Sequence, residues 1–176
     1  MQLLGPICVK HAVTKAGECG LDICEEDIMK TCKVSDVKCA GLSICDPETP
    51  AVVKDTTCLS EILNSFSHNL NVNYAVKTKD GKLSGIITIE HLKESLQFLE
   101  LSEGLMALDI QETSPCTCHA DMFIPEVLEL FEKYDTEALP VTDGNNNVIG
   151  IIEKPIIDHY LRSQVMALHQ KIASLG

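Results

Sequence analysis

Cys116-Thr117-Cys118-His119 crowds two thiols and an imidazole into four residues. As ligands they would suit a soft or borderline metal such as zinc. Cys116 and Cys118 also alternate as apolar residues do on one face of a strand, where a free cysteine packs as a small hydrophobe. The second reading is adopted, and no metal is expected. The nine cysteines fall at 8, 19, 24, 32, 39, 45, 58, 116 and 118, with no C-x-x-C among them. Their odd number argues against a disulfide scaffold, and the irregular spacing from Cys8 to Cys45 is unlike a zinc ribbon. Glu25, Glu26 and Asp27 form a charge run at an expected helix start, where the helix dipole favours carboxylates without any catalytic role. His159 and His169 are expected to face solvent, and His68 and His119 do not occupy matching places. No G-x-S-x-G, P-loop, H-E-x-x-H or EF-hand spacing occurs. No acid–base or nucleophile constellation can be assembled, so the chain is not expected to be an enzyme.

Acidity narrows the partners. With 14 Lys and Arg against 26 Asp and Glu, the formal charge over 176 residues is −12. Such a surface repels a phosphate backbone and anionic lipid, so nucleic acid is excluded as a partner and the charge is read as serving solubility. Apolar residues make up 45%, Trp is absent and aromatics are 4%, so aliphatic side chains must fill the core. No run approaches the ~20 apolar residues that a membrane helix needs. MQLLGPICVKH lacks a basic region before a sustained apolar stretch, so no secretory leader is expected there.

The elements that would position any site come from a repeat. Shifted by 65, the chain aligns without a gap from Pro50/Pro115 to Gly85/Gly150. Leu59, Ile62, Leu63 and Phe66 meet Ile124, Val127, Leu128 and Phe131, both stepping i, i+3, i+4, i+7 along one helix face. Thr56 or Thr57 can cap the first helix and Asp121 the second, and Pro125 fits near a helix start. Val76 meets Val141. Asp80-Gly81 and Gly144-Asn145-Asn146-Asn147 make the two hairpin turns, and Leu83, Ile86 and Ile87 meet Val148, Ile151 and Ile152 on the returning strand. A second helix follows each, marked by Leu92, Leu96 and Leu99, then by Ile157, Leu161, Val165, Leu168 and Ile172. A lead-in precedes each unit, KVSDV (33–37) and MALDI (106–110). Copy one carries eight more residues after its lead-in, around Cys39 to Glu48, read as a surface loop. Cys58 lies where a helix start can lower a thiol pKa, but its counterpart is Phe123, so burial is expected. Each unit is therefore strand, helix, strand, hairpin, strand, helix. Neither buries enough apolar surface alone, and two sharing a core about a pseudo-twofold axis would.

The stretches NYAVKTKDGKLSGIITIEHL and EALPVTDGNNNVIGIIEKPIIDHYL resemble the cystathionine-β-synthase (CBS) domain, and two in tandem resemble a Bateman module. The resemblance covers about residues 33–165. It implies an α/β (α+β) fold of two pseudo-twofold-related units, each a small mixed sheet with two helices packed on it. The division read from it is a linker or helical lead-in at 1–32, a first CBS unit at 33–100 and a second at 101–176 with the C-terminal helix. GLDICEEDIMKTCKVSDV (20–37) resembles the link after the last membrane helix of prokaryotic CLC chloride channels and transporters, and IIDHYLRSQVMAL (156–168) is similar to the tyrosine-containing helix that closes their CBS pair. That implies a cytosolic regulatory part of an integral membrane protein, a membrane-embedded channel domain in the same polypeptide, and a homodimer.

CBS pairs commonly bind adenosine nucleotides, with the motif G-h-h-[ST]-x-x-D. Its carboxylate accepts the ribose hydroxyls, its hydroxyl and nearby N–H groups take phosphate, and apolar residues sandwich the adenine. Copy one reads Gly85-Ile86-Ile87-Thr88-Ile89-Glu90-His91, with His91 in place of the aspartate. Copy two reads Gly150-Ile151-Ile152-Glu153-Lys154-Pro155-Ile156, with Glu153 and Ile156 in place of both polar residues. Asp158 comes two residues late, on another helix face. The resemblance therefore implies one degenerate site in copy one, at Thr88 and His91 with Val53 and Val76 as apolar walls. The competing reading gives Thr88 only the role of helix cap and His91 that of a solvated residue. The expected function is regulation of an attached domain, with an adenosine nucleotide as the sole candidate cofactor. The alternatives are a stand-alone sensor of AMP, ATP or S-adenosylmethionine, and a cysteine-based metal or redox sensor.

Overall fold

The computed structural model describes residues 27–39, 42–44, 51–68, 71–96 and 104–173. The expected linker up to residue 26 and Leu99 lie outside them. Tyr74-Ala75-Val76 and Leu139-Pro140-Val141 are buried throughout, as strands must be when both of their faces are covered. Each is the middle strand of a three-stranded sheet. The first sheet orders β3 (Val52–Lys54), β4 (Asn73–Lys77) and β5 (Leu83–Thr88); the second orders β6 (Cys118–His119), β7 (Ala138–Thr142) and β8 (Val148–Glu153). In both, the first pair is parallel and the second antiparallel.

The offset of 65 holds at the level of hydrogen-bond register. Val53 faces Val76 and Val76 faces Gly85; Cys118 faces Val141 and Val141 faces Gly150. A bulge follows Val76 in one sheet and Val141 in the other. The crossover helices are α1 (Leu59–His68) and α4 (Ile124–Tyr134), and the closing helices are α2 (Ile89–Leu96) and α5 (Lys154–Ala173). The expected helix faces are covered: Leu59 and Ile62 are buried in α1, and Ile124, Val127 and Phe131 in α4. On α5 the apolar stripe is covered as far as Val165, whereas Leu168 is exposed.

Caps and loops depart from expectation in three places. Thr57 Oγ1 accepts the Lys54 N–H instead of a helix amide. Phe123, not Asp121, is the N-cap of α4, and the Glu126 carboxylate closes that turn by accepting the Phe123 N–H at 3.0 Å. The extra residues of copy one carry a small antiparallel hairpin, β1 (Lys38–Cys39) with β2 (Leu42–Ser43). Ile44 follows it into the core, because an isoleucine that can reach a packed cluster does not stay in water.

The lead-ins cross. Lead-in one packs on the second sheet: Val34 N–H donates to Met122 O (3.0 Å), Ser35 N–H to Ala120 O (2.9 Å), and Ile124 N–H to Cys32 O (3.0 Å). Lead-in two, around α3 (Ala107–Ile110), packs on the first: Ala107 N–H donates to Thr57 O (2.9 Å), Leu108 N–H to Asp55 O (3.0 Å), and Leu59 N–H to Leu105 O (2.9 Å). Each unit's core is therefore completed by the other's lead-in. Val34 and Val37 join Cys118, Ile124 and Ile152; Ala107 and Ile110 join Val53, Val76 and Leu92. A third cluster of Ala51, Ala75, Ala138, Val148 and Ile151 fills the contact between the sheets, where small residues let the backbones approach.

Candidate functional site

The ends of β5 and β8 are the same backbone position twice. Ile89 N–H returns to Val72 O (3.2 Å) and Lys154 N–H to Glu137 O (2.9 Å), so each strand turns directly into its closing helix. The side chains at that corner, Thr88 and Glu153, do different things.

In copy one, Thr88 Oγ1 accepts the His91 N–H at 3.3 Å, and His91 Nδ1 accepts the Thr88 N–H at 3.3 Å. This is a reciprocal capping box in which histidine stands where glutamate or glutamine usually does. Because Nδ1 accepts, the ring proton of the neutral imidazole sits on Nε2, which faces Glu112 Oε1 at 2.7 Å. His91 is not a solvated residue: its side chain is 14% exposed. Glu112 is carried there by lead-in two. Its backbone forms a bridge with Ile86, N–H to O at 2.8 Å in both directions. Gly85 makes this approach feasible, since a Cβ there would lie 2.5 Å from Glu112 O.

These groups line an open cleft of about 240 Å³ formed by His91, Glu94, Ser95, Asp109, Ile110, Gln111 and Glu112. Asp109 Oδ2 accepts the Met106 N–H (2.9 Å), and Gln111 Nε2 donates to Ser84 Oγ (2.8 Å). Gln111 Oε1 is buried without a hydrogen-bond partner. Three carboxylates and no Lys or Arg line the cleft. Val53 and Val76 do not line it: they belong to the core under the first sheet. Thr88 and His91 are thus brought together, and the two valines are placed elsewhere. Gln111 and Glu112 escape a reading of the motif because they lie outside it, in a segment that folds back from the following unit.

In copy two, Glu153 is 3% exposed. Its Oε1 accepts the Val72 N–H (3.2 Å), the Asn73 N–H (2.8 Å) and the Asn73 Nδ2 amide (2.9 Å), all from the first unit. Burial pushes its carboxyl above the ordinary range, and these three bonds pull it partly back. Ile156, in the position matching His91, is part of the second core. A larger hollow of about 400 Å³ lies beside it, lined by Ile28, Thr31, Cys32, Ser35, Asp36, Tyr160 and Gln164. Burial, aided by Asp36, pushes the Cys32 thiol up to about 11. Burial also raises Cys116.

Cys118 is buried in β6 and His119 is exposed, with Nδ1 3.1 Å from Thr142 Oγ1. The alternation of the strand sends them to opposite faces. Cys58 is only half-buried, with Sγ 3.0 Å from Ser60 Oγ, and its counterpart Phe123 is exposed too. His159 and His169 are exposed as expected. No described helix is long and apolar enough to cross a membrane.

The sequence model of the CBS domain matches residues 39–97 and 107–155. Among curated proteins, the inosine-5′-monophosphate dehydrogenase of Thermoplasma acidophilum is 27% identical over 106 residues, a match covering 60% of this chain and 19% of that enzyme. The chain therefore spans about a fifth of that relative's length. Among solved structures it is similar to the CBS domain of a bacterial CNNM/CorC family Mg²⁺ transporter, with TM-score 0.64, 15% identity, and coverage of 90% of this chain and 96% of that one. The same transporter domain in complex with ATP gives TM-score 0.61 at 15% identity, covering 79% and 93%. A CBS domain pair in complex with 5′-methylthioadenosine and S-adenosyl-L-methionine gives TM-score 0.58 at 22% identity, covering 76% and 98%. At these identities the likeness is one of fold.

Proposed function

The chain belongs to the CBS domain family, as a tandem pair, and from that premise we propose that it is a regulatory module whose first cleft receives an adenosine moiety and biases an attached domain. The observation that carries the reading is the contrast between the corners. In copy one, Thr88 holds His91 in the wall of an open cleft; in copy two, the side chain matching Thr88 is bonded into the neighbouring unit. At the second corner, Glu153 is therefore not free to hold a nucleotide. A ligand that prefers one relative placement of the units shifts an equilibrium by its difference in affinity for the two placements.

The lining sets the class of adenosine compound. Glu94, Asp109 and Glu112 oppose a phosphate tail and favour a neutral or positively charged one. Thermal unfolding of the chain with millimolar S-adenosylmethionine, 5′-methylthioadenosine, AMP or ATP tests this. The first two are expected to raise the midpoint, the stabilisation reaching about 2.7 kcal/mol at a hundredfold excess over Kd. ATP is expected to shift it least, and no shift with any of the four would remove the reading.

The attached domain is a CLC-type chloride channel or transporter on this reading. It is supported by residues 20–37 and 156–168, whose sequences are similar to the link that precedes the CLC CBS pair and to the helix that closes it. An antibody against the chain should then detect, in the membrane fraction of the native cell, a polypeptide well above 19.3 kDa. A band of that mass alone, recovered without membrane, would exclude it. The raised thiols of Cys32 and Cys116 disfavour thiolate chemistry at those two positions, which weakens a cysteine-based sensor.

A further inference from the structure

The first cleft contains a carboxylate that no motif position supplies. We propose that Glu112, held by His91, is the group that receives the two ribose hydroxyls of the bound adenosine moiety; this rests on the adenosine reading of the cleft given above.

Three features of Glu112 support the assignment. Its backbone is immobilised against Ile86 by two hydrogen bonds of 2.8 Å, so the side chain starts from a fixed point. His91 Nε2 then holds Oε1 at 2.7 Å, and His91 is itself locked to Thr88 through Nδ1. The side chain is nevertheless 68% exposed and lines the cleft. A carboxylate tethered through one oxygen keeps acceptor capacity on both, enough for a pair of neighbouring hydroxyls. His91 alone lacks that capacity. Its Nδ1 is occupied, and its Nε2–H offers one donor. His91 is therefore a positioning residue, and the capping box exists to aim it.

The test is calorimetric titration of the full chain with adenosine and with 2′-deoxyadenosine, for the wild type and Glu112→Gln. The substitution is on an exposed side chain, so an unchanged melting midpoint should accompany it. Wild type is expected to prefer adenosine. Glu112→Gln should weaken adenosine about tenfold, the scale of a charge-assisted hydrogen bond, and weaken 2′-deoxyadenosine, which keeps only the 3′-hydroxyl, by less. The preference for ribose then collapses. If Glu112→Gln keeps the wild-type ratio, or tightens both ligands because the His91–Glu112 pair had been plugging the cleft, the assignment is wrong while the adenosine reading survives. If wild type binds neither nucleoside, both readings fall together.

Discussion

Thr88 and Glu153 occupy one backbone position in two copies of a unit, and they face different ways. Thr88 turns onto its own helix and, through His91, leaves a cleft beside it. Glu153 reaches out of its unit and takes three N–H groups from the strand start of the other. The registers, bulges and helix returns around them are the same. Duplication therefore fixed the backbone and released one corner from whatever the other does. The released corner has become part of the joint between the units. A buried carboxylate is acceptable there only because its bonds offset much of the cost of leaving water.

Breaking that joint gives the largest expected effect. Glu153→Ala strands the Val72 and Asn73 N–H groups and the Asn73 amide, and should cost about 3 kcal/mol in urea unfolding. A loss under about 0.5 kcal/mol would mean that water replaces the carboxylate and that the corner is not a joint. Acidity supplies a finer version of the same test. A carboxyl whose folded pKa lies above its unfolded value holds its proton more tightly when folded. Its contribution is fully present below the ordinary value of 4.5 and is lost as pH rises through the folded value. Glu153→Gln, which keeps the acceptor, should flatten that part of the stability–pH profile relative to wild type.

The smallest effect lies at the hairpin tips, where the copies solve one backbone demand with different residues. Gly81 has φ +80° and its counterpart Asn146 has φ +63°. Glycine adopts this region freely and asparagine tolerates it. The nearest atom to a Cβ at Gly81 would be Asn147 Oδ1, at an ordinary 3.4 Å. Gly81→Asn, which writes copy two's solution into copy one, should therefore cost less than about 1 kcal/mol in the same unfolding assay. A larger loss would show that the contact of this tip with the second hairpin, Val148 N–H to Gly81 O at 2.8 Å, depends on glycine.

Much of the architecture was legible because its determinants are local. The spacing of Leu59, Ile62, Leu63 and Phe66 specifies a helix face whatever it packs against. Runs such as Tyr74-Ala75-Val76 between turn residues specify a buried strand, and repetition at 65 implies two such units. The family motif, read by its residue types, also located the corner at Thr88 and Glu153 and predicted that the copies would differ there. Cys58 is half-buried rather than buried for an equally local reason: its repeat counterpart Phe123 is apolar but exposed, since apolar character does not guarantee a covering neighbour.

What the sequence by itself determined is the elements of the repeat, the β1–β2 hairpin excepted, with their order and their pairing within a unit. The tertiary structure decided which lead-in completes which core, and with it that Glu112 would meet His91. Lys33-Val34-Ser35-Asp36-Val37 and Met106-Ala107-Leu108-Asp109-Ile110 carry the same pattern and bond to matching grooves. Local chemistry therefore cannot rank one pairing above the other. The choice is made by contacts far apart in the chain, through the packing of the two sheets and the span of the connections between them.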